Sequence, residues 1–81
     1  MHELGLTRNI VSIVTERCGA RIVRRVRLAV GPLACVEKQA LSFCFGVVAQ
    51  GTPLAQATLE FLDAPGDTLL IRDFDCEEEA A

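Results

Sequence analysis

The sequence predicts an α+β fold: a small two-layer sandwich of order α-β-α-β-β, with a three-stranded mixed sheet carrying two helices on one face. Two helix-spaced apolar stripes predict the helices, and three short alternating runs predict the strands. Breaks containing Gly or Pro separate most of these segments. At 81 residues the chain has room for one domain, residues 1–81, with one modest core. A hydrophobic fraction of 51% argues against disorder and requires burial within the chain or against a partner.

The first helix spans Leu6 to Cys18, where Leu6, Ile10, Ile13, Val14 and Cys18 form one stripe. Ile10, Val11, Ile13 and Val14 also carry a strand signal, which the helical periodicity outweighs, and Gly19 ends the helix. The first strand runs from Ile22 to Val30. Ile22, Val26, Leu28 and Val30 are expected on its buried face, with Val23, Arg25, Arg27 and Ala29 opposite. Arg24 interrupts that alternation and is expected at the sheet margin, and Gly31-Pro32 ends the strand. The second helix runs from about Glu37 to Gln50 on a stripe of Leu41, Cys44, Phe45 and Val48. Gly51 caps it and Pro53 blocks its continuation.

Ala57 to Leu62 then alternates as a second strand, and Thr68 to Cys76 forms a third with Leu69 and Ile71 as core residues. The helical crossover makes strands one and two parallel. The tight Ala64-Pro65-Gly66-Asp67 turn suggests that strands two and three form an antiparallel hairpin. Arg25, Arg27, Thr58, Glu60, Leu62, Leu70 and Arg72 are expected on the open sheet face, where the apolar members offer a seat for a partner or a second copy. The acidic stretch from Glu77 to Ala81 is expected to fray.

Net charge is −3, with arginines gathered between Arg17 and Arg27 and acids gathered after Asp63. No broad basic footprint exists, so nucleic acid is not an expected partner. The longest strongly apolar run, Phe43 to Ala49, is too short to span a bilayer. No leader-like pattern opens the chain, and Cys18, Cys35, Cys44 and Cys76 lack C-x-x-C spacing. These features fit thiols in a reducing cytoplasm, with Cys18 and Cys44 packing in the core. The only histidine is His2, so no Ser-His-Asp or Cys-His set can be assembled, and no glycine-rich phosphate loop is present. An enzyme is not expected. Asp73, Asp75, Cys76 and the glutamates after them fit a solvated acidic terminus better than a cation site.

Chemistry concentrates at Met1-His2-Glu3-Leu4. An α-amine, an imidazole and adjacent backbone amides together offer nitrogen donors that suit square-planar nickel(II), and copper(II) as well. Such donors shed protons near neutrality, so metal binding through them weakens in acid. Taken alone the signal is weak, because many proteins carry a merely solvated histidine near the start.

The opening Met1-His2-Glu3-Leu4 and its following helix resemble the HypA/HybF family of hydrogenase nickel-insertion proteins. Val26-Arg27-Leu28-Ala29-Val30-Gly31 is similar to that family's first strand. Leu33, Val36-Glu37, Ala40-Leu41-Ser42-Phe43-Cys44-Phe45 and Gly51-Thr52 follow its second-helix pattern, and Gly66-Asp67-Thr68-Leu69-Leu70-Ile71-Arg72 its closing strand. The resemblance implies a cytoplasmic nickel metallochaperone that catalyses no reaction. It would act with a hydrogenase-maturation GTPase to load the large subunit of [NiFe] hydrogenase. It places Ni(2+) on His2, through imidazole and backbone nitrogen, with the Glu3 amide and the Met1 amine beside it. Glu37 stands where some members have a further acidic ligand, usually aspartate; as a first-turn acid it also suits the helix dipole.

Several positions depart from the family pattern. Gly5 replaces a usual serine and Cys35 a usual glycine. The family's zinc domain, with its two C-x-x-C pairs, would fall between residues 65 and 67, where Asp63-Ala64-Pro65-Gly66-Asp67 passes directly onward. The expectation is a form with that domain deleted, and no zinc is expected. The alternative is a non-metal interaction or self-assembly module, a homo-oligomer built through sheet edges or a domain-swapped dimer.

Overall fold

The structure, a computed structural model, describes residues 2–77. Its elements are α1 (Glu3–Cys18), β1 (Val23–Val30), α2 (Lys38–Val48), β2 (Thr58–Asp63) and β3 (Leu69–Cys76). The Met1 amine and most of the acidic tail lie outside the described residues.

Helical periodicity wins over β-branching in α1, and the buried stripe is Thr7, Ile10, Val11, Val14 and Cys18. That stripe is rotated slightly from expectation: Val11 is buried while Ile13 is 42% exposed. Thr7 is tolerated in the core because its hydroxyl donates to the Leu4 carbonyl at 2.9 Å. Gly19 ends the helix at φ 66°, a conformation that side-chain-bearing residues rarely adopt. Leu41 and Phe45 anchor α2 in the same core. Leu54, in the turn after α2, is fully buried, and Pro53 accepts a bond from Val23 N at 3.0 Å.

The sheet order is β2-β1-β3, with β1 parallel to β2 and antiparallel to β3. This corrects the expected β2–β3 hairpin. Instead of folding back on β2, the chain crosses the end of β1 and pairs along its far side. Both Gly31 N to Thr68 O and Leu33 N to Gly66 O are bonded at 2.8 Å across that passage.

Charge gives a physical reason for this order. Arg25 Nε lies 2.8 Å from Glu60 on β2, whereas Arg27 reaches Asp73 at 2.6 Å and Asp75 at 2.8 Å on β3. A hairpin would have left these two arginines with carboxylates on one side only. Each pair is exposed enough to contribute little alone, so the ladder selects register more than it adds stability.

The phase of β1 also differs from expectation. Val23 is buried and Ile22 is 49% exposed, because the register against β3 slips between Val23 and Arg25. Arg24 is the extra residue there, a bulge that lets Val23 and Val26 both face the core. A second slip opposes Arg27 and Leu28 to Asp73 and Ile71, leaving Arg72 as the extra residue on β3.

Gly31 makes the crossing possible. A Cβ at this position would lie 2.2 Å from the Gly66 carbonyl oxygen and 2.7 Å from that of Pro65. Both are backbone atoms, so relief requires moving the connection itself. Gly31→Ala is therefore expected to lower stability by about 1–3 kcal/mol. Urea denaturation would check this, and an unchanged midpoint would contradict the crossing as described.

Candidate metal centre

Two helix starts meet at the end of the molecule that carries the predicted metal residues. His2 occupies the N-cap of α1 at φ −91° and ψ 82°. Its imidazole is exposed and makes no capping bond. The His2 carbonyl already accepts the Leu6 amide at 3.1 Å, while the first N–H groups of any helix lack a carbonyl four residues back.

Glu3 follows as the acid of the first turn. Its carboxylate accepts the Glu37 amide at 3.4 Å, joining the start of α1 to the start of α2. Its own backbone N–H, and then that of Glu37, hold the Glu3 carboxyl below the usual glutamate range.

Glu37 is the N-cap of α2, its carboxylate accepting from Gln39 N at 3.3 Å and from Ala40 N at 2.6 Å. The structure therefore brings His2, Glu3 and Glu37 to one end of the molecule, with the Glu37 carboxylate engaged as a cap. Among the described residues no group of three or more His, Cys, Asp or Glu side chains converges as a metal cluster. Side chains alone do not form a cage here.

Beside Glu37 lies an open groove of about 740 Å³, bordered by Gly31, Cys35, Lys38 and Asp63. Sequence patterning gave no sign of it, because its walls come from the β1–α2 turn and from the end of β2. Cys35 sits there exposed, in the left-handed region at φ 57°. Cys18, by contrast, is 2% exposed, and burial first and the nearby Cys76 second push its thiol up. Cys44 and Cys76 are half-buried.

Known proteins match this chain along most of its length. A family model described as "Hydrogenase/urease nickel incorporation, metallochaperone, hypA" matches residues 1–80. A hydrogenase maturation factor HypA from Trichodesmium erythraeum is 50% identical over 66 residues, covering 82% of this chain and 58% of that protein. One from Paracoccus denitrificans is 45% identical over 82 residues, covering 98% of this chain and 70% of that protein. The solution structure of the Ni metallochaperone HypA from Helicobacter pylori superposes with a TM-score of 0.68 at 18% identity, covering 79% of this chain and 58% of the other. A second HypA solution structure gives 0.62 at 12% identity, covering 96% of this chain and 93% of the other. At those identities the structural likeness speaks for the fold. This chain spans 58% of the length of the Trichodesmium relative.

Two outcomes are expected of this site without metal. In a carboxyl-carbon NMR titration the Glu3 midpoint falls below that of an unperturbed glutamate. Because the folded value is depressed, the hydrogen bonds the carboxylate accepts, from Glu3's own N–H first and Glu37 N–H second, contribute above the unfolded value and are lost as pH falls through the folded one. A midpoint at or above the ordinary value would contradict this hydrogen bonding. Under native conditions an aromatic disulfide reagent is expected to label Cys35 first and Cys18 only on unfolding, since thiolate character and access govern the rate. Mass spectrometry of the labelled peptides would check the order.

Proposed function

This chain belongs to the HypA family of hydrogenase/urease nickel-incorporation metallochaperones, and on that premise we propose that it binds nickel(II) at the start of α1 for delivery to a hydrogenase under maturation. The observation that carries the reading is the free imidazole of His2 at a helix start. His2 supplies its imidazole and backbone nitrogen, Glu3 its amide nitrogen and Met1 its amine.

Nickel of this kind is bound by displacing protons from peptide nitrogen. Withdrawing the Glu3 amide proton leaves negative charge on the His2–Glu3 peptide. That charge sits at the positive end of the α1 dipole, and the carbonyl that shares it already accepts the Leu6 amide. Glu37 caps α2 in the metal-free chain, and acts as a further ligand only by giving up its bonds to Gln39 N and Ala40 N.

The recipient would be the hydrogenase large subunit, with a maturation GTPase as the delivering partner, in the cytoplasm. No helix among the described residues is long and apolar enough to cross a membrane. The protein carries its ion without catalysing a reaction of its own. We read the direct Asp63–Asp67 connection as the place where relatives' zinc domain is left out, and expect no zinc on this chain. The sheet-edge assembly alternative is less favoured. The free edge of β3 carries a bulge at Arg72 with Asp73 and Asp75 beside it, features that oppose strand pairing.

Calorimetric titration of untagged protein with nickel at about pH 7.5 tests the proposal. One nickel per chain is expected, with affinity reduced at least about tenfold by His2→Ala, equivalent to about 1.4 kcal/mol. Glu37→Gln is expected to leave the stoichiometry intact. Equal binding by wild type and His2→Ala, or none by either, would overturn the assignment.

A further inference from the structure

Two thiols that the metal site does not use come together at the far end of α1. Cys18 is the last residue of that helix, 2% exposed and part of the core cluster. Only residues 19–22 separate it from Val23, the fully buried first residue of β1. Cys76 is the last residue of β3 and lies directly opposite Val23 in the antiparallel pair. Residues opposed in this way project from the same face of a sheet. The Cys76 side chain is therefore on the helix side, where it packs against the core cluster that contains Cys18.

Just beyond, the Glu77 amide donates to the Ile22 carbonyl at 2.8 Å, which fixes the end of β3 beneath the end of α1. Cys18 also responds to Cys76 electrostatically, since that neighbour adds to burial in pushing its thiol up. Cys35 and Cys44 lie elsewhere, on the β1–α2 turn and within α2.

We propose that Cys18 and Cys76 are a redox pair, closing to a disulfide that ties the end of α1 to the end of β3 when the protein meets a small-molecule disulfide such as oxidised glutathione. Cys76, half-buried, takes the first step. Its thiolate attacks one sulfur of the oxidant and breaks that S–S bond. One small thiol leaves with the proton that Cys76 gave up, and Cys76 keeps the other half as a mixed disulfide. Cys18 then loses its proton and attacks the Cys76 sulfur, expelling the second small thiol. The two protein thiols are oxidised by two electrons, and the small disulfide is reduced to two thiols.

Burial keeps Cys18 protonated, so the second displacement is the slow one. In a reducing compartment the pair rests as thiols, and the bond records a shift toward oxidation. Closing it ties off a loop that holds β1, α2, β2 and β3, and a crosslink across so long a loop stabilises the fold. The pair sits about 24 Å along α1 from the His2 end, so it works apart from the nickel reading.

The test uses metal-free, reduced protein incubated with excess oxidised glutathione at about pH 8, where thiolate is available. The product is acid-quenched, digested and mapped by mass spectrometry. The expected map links the Cys18 and Cys76 peptides within one chain, lighter by the two hydrogens lost, while Cys35 carries glutathione. Melting temperature is expected to rise by at least about 5 °C and to return on reduction. Cys76→Ser is expected to leave Cys18 a free thiol and to abolish that rise, whereas Cys18→Ala traps Cys76 as the mixed disulfide. The wild-type map decides the matter without either variant. A wild type with glutathione on Cys76 and a free Cys18 would overturn the proposal, as would a link formed only between chains.

Discussion

The passage of residues 64–68 over the end of β1 is the constraint from which the rest of the fold follows. Only a residue without a side chain fits at Gly31, where the Gly66 carbonyl would sit 2.2 Å from a Cβ. With that crossing made, β1 becomes the central strand, and Val23, Val26 and Leu28 are buried beneath both helices. Arg27 then has carboxylates on both flanks, Glu60 on β2 and Asp73 and Asp75 on β3, while Arg25 pairs with Glu60. The same passage, with Asp63 and Ala64 leading into it, forms one wall of the groove whose other wall runs from Gly31 to the α2 cap at Glu37. Fold and candidate site thus share one tight piece of backbone.

The elements themselves were legible from periodicity and breakers. Helix and strand positions agree to within a few residues, and Gly19 ends α1 with positive φ; α2 instead closes at Ala49, before the Gly51 expected to cap it. Pairing was less legible. Ala64-Pro65-Gly66-Asp67 is as good a sequence for a hairpin as for a crossing, and local turn chemistry does not say which side of β1 a strand will choose. The contacts that accompany the observed order are distant in sequence: Glu60 with Arg25 and Arg27 on one side, Asp73 and Asp75 with Arg27 on the other. The bulge at Arg24 was visible only as a broken alternation. Reading it as a sheet margin placed Val23 on the wrong face.

The proposed metal residues came from the family resemblance, because a lone histidine near the start is by itself a weak signal. Their surroundings were not legible in the sequence. The 3.4 Å contact from Glu37 N to Glu3 joins residues 34 positions apart, and no local pattern announces it. Glu37 itself shows how a ligand candidate and a capping residue share one sequence signature. An acid at a helix start serves either role, and in this chain its two oxygens are occupied by Gln39 N and Ala40 N. The groove beside it arises from two segments that meet only in the folded chain.

The central claim is that nickel is taken at the start of α1, next to the cap of α2. A backbone NMR spectrum of isotope-labelled, untagged protein, recorded before and after one equivalent of nickel, tests it most directly. The account predicts that the amide signals of Glu3, Leu4 and Gly5 shift or vanish first. Those of Glu37 to Gln39 should follow through the Glu3 contact, while the arginine ladder on the sheet stays unmoved. Changes centred on Asp73 to Glu77, or none anywhere, would contradict it.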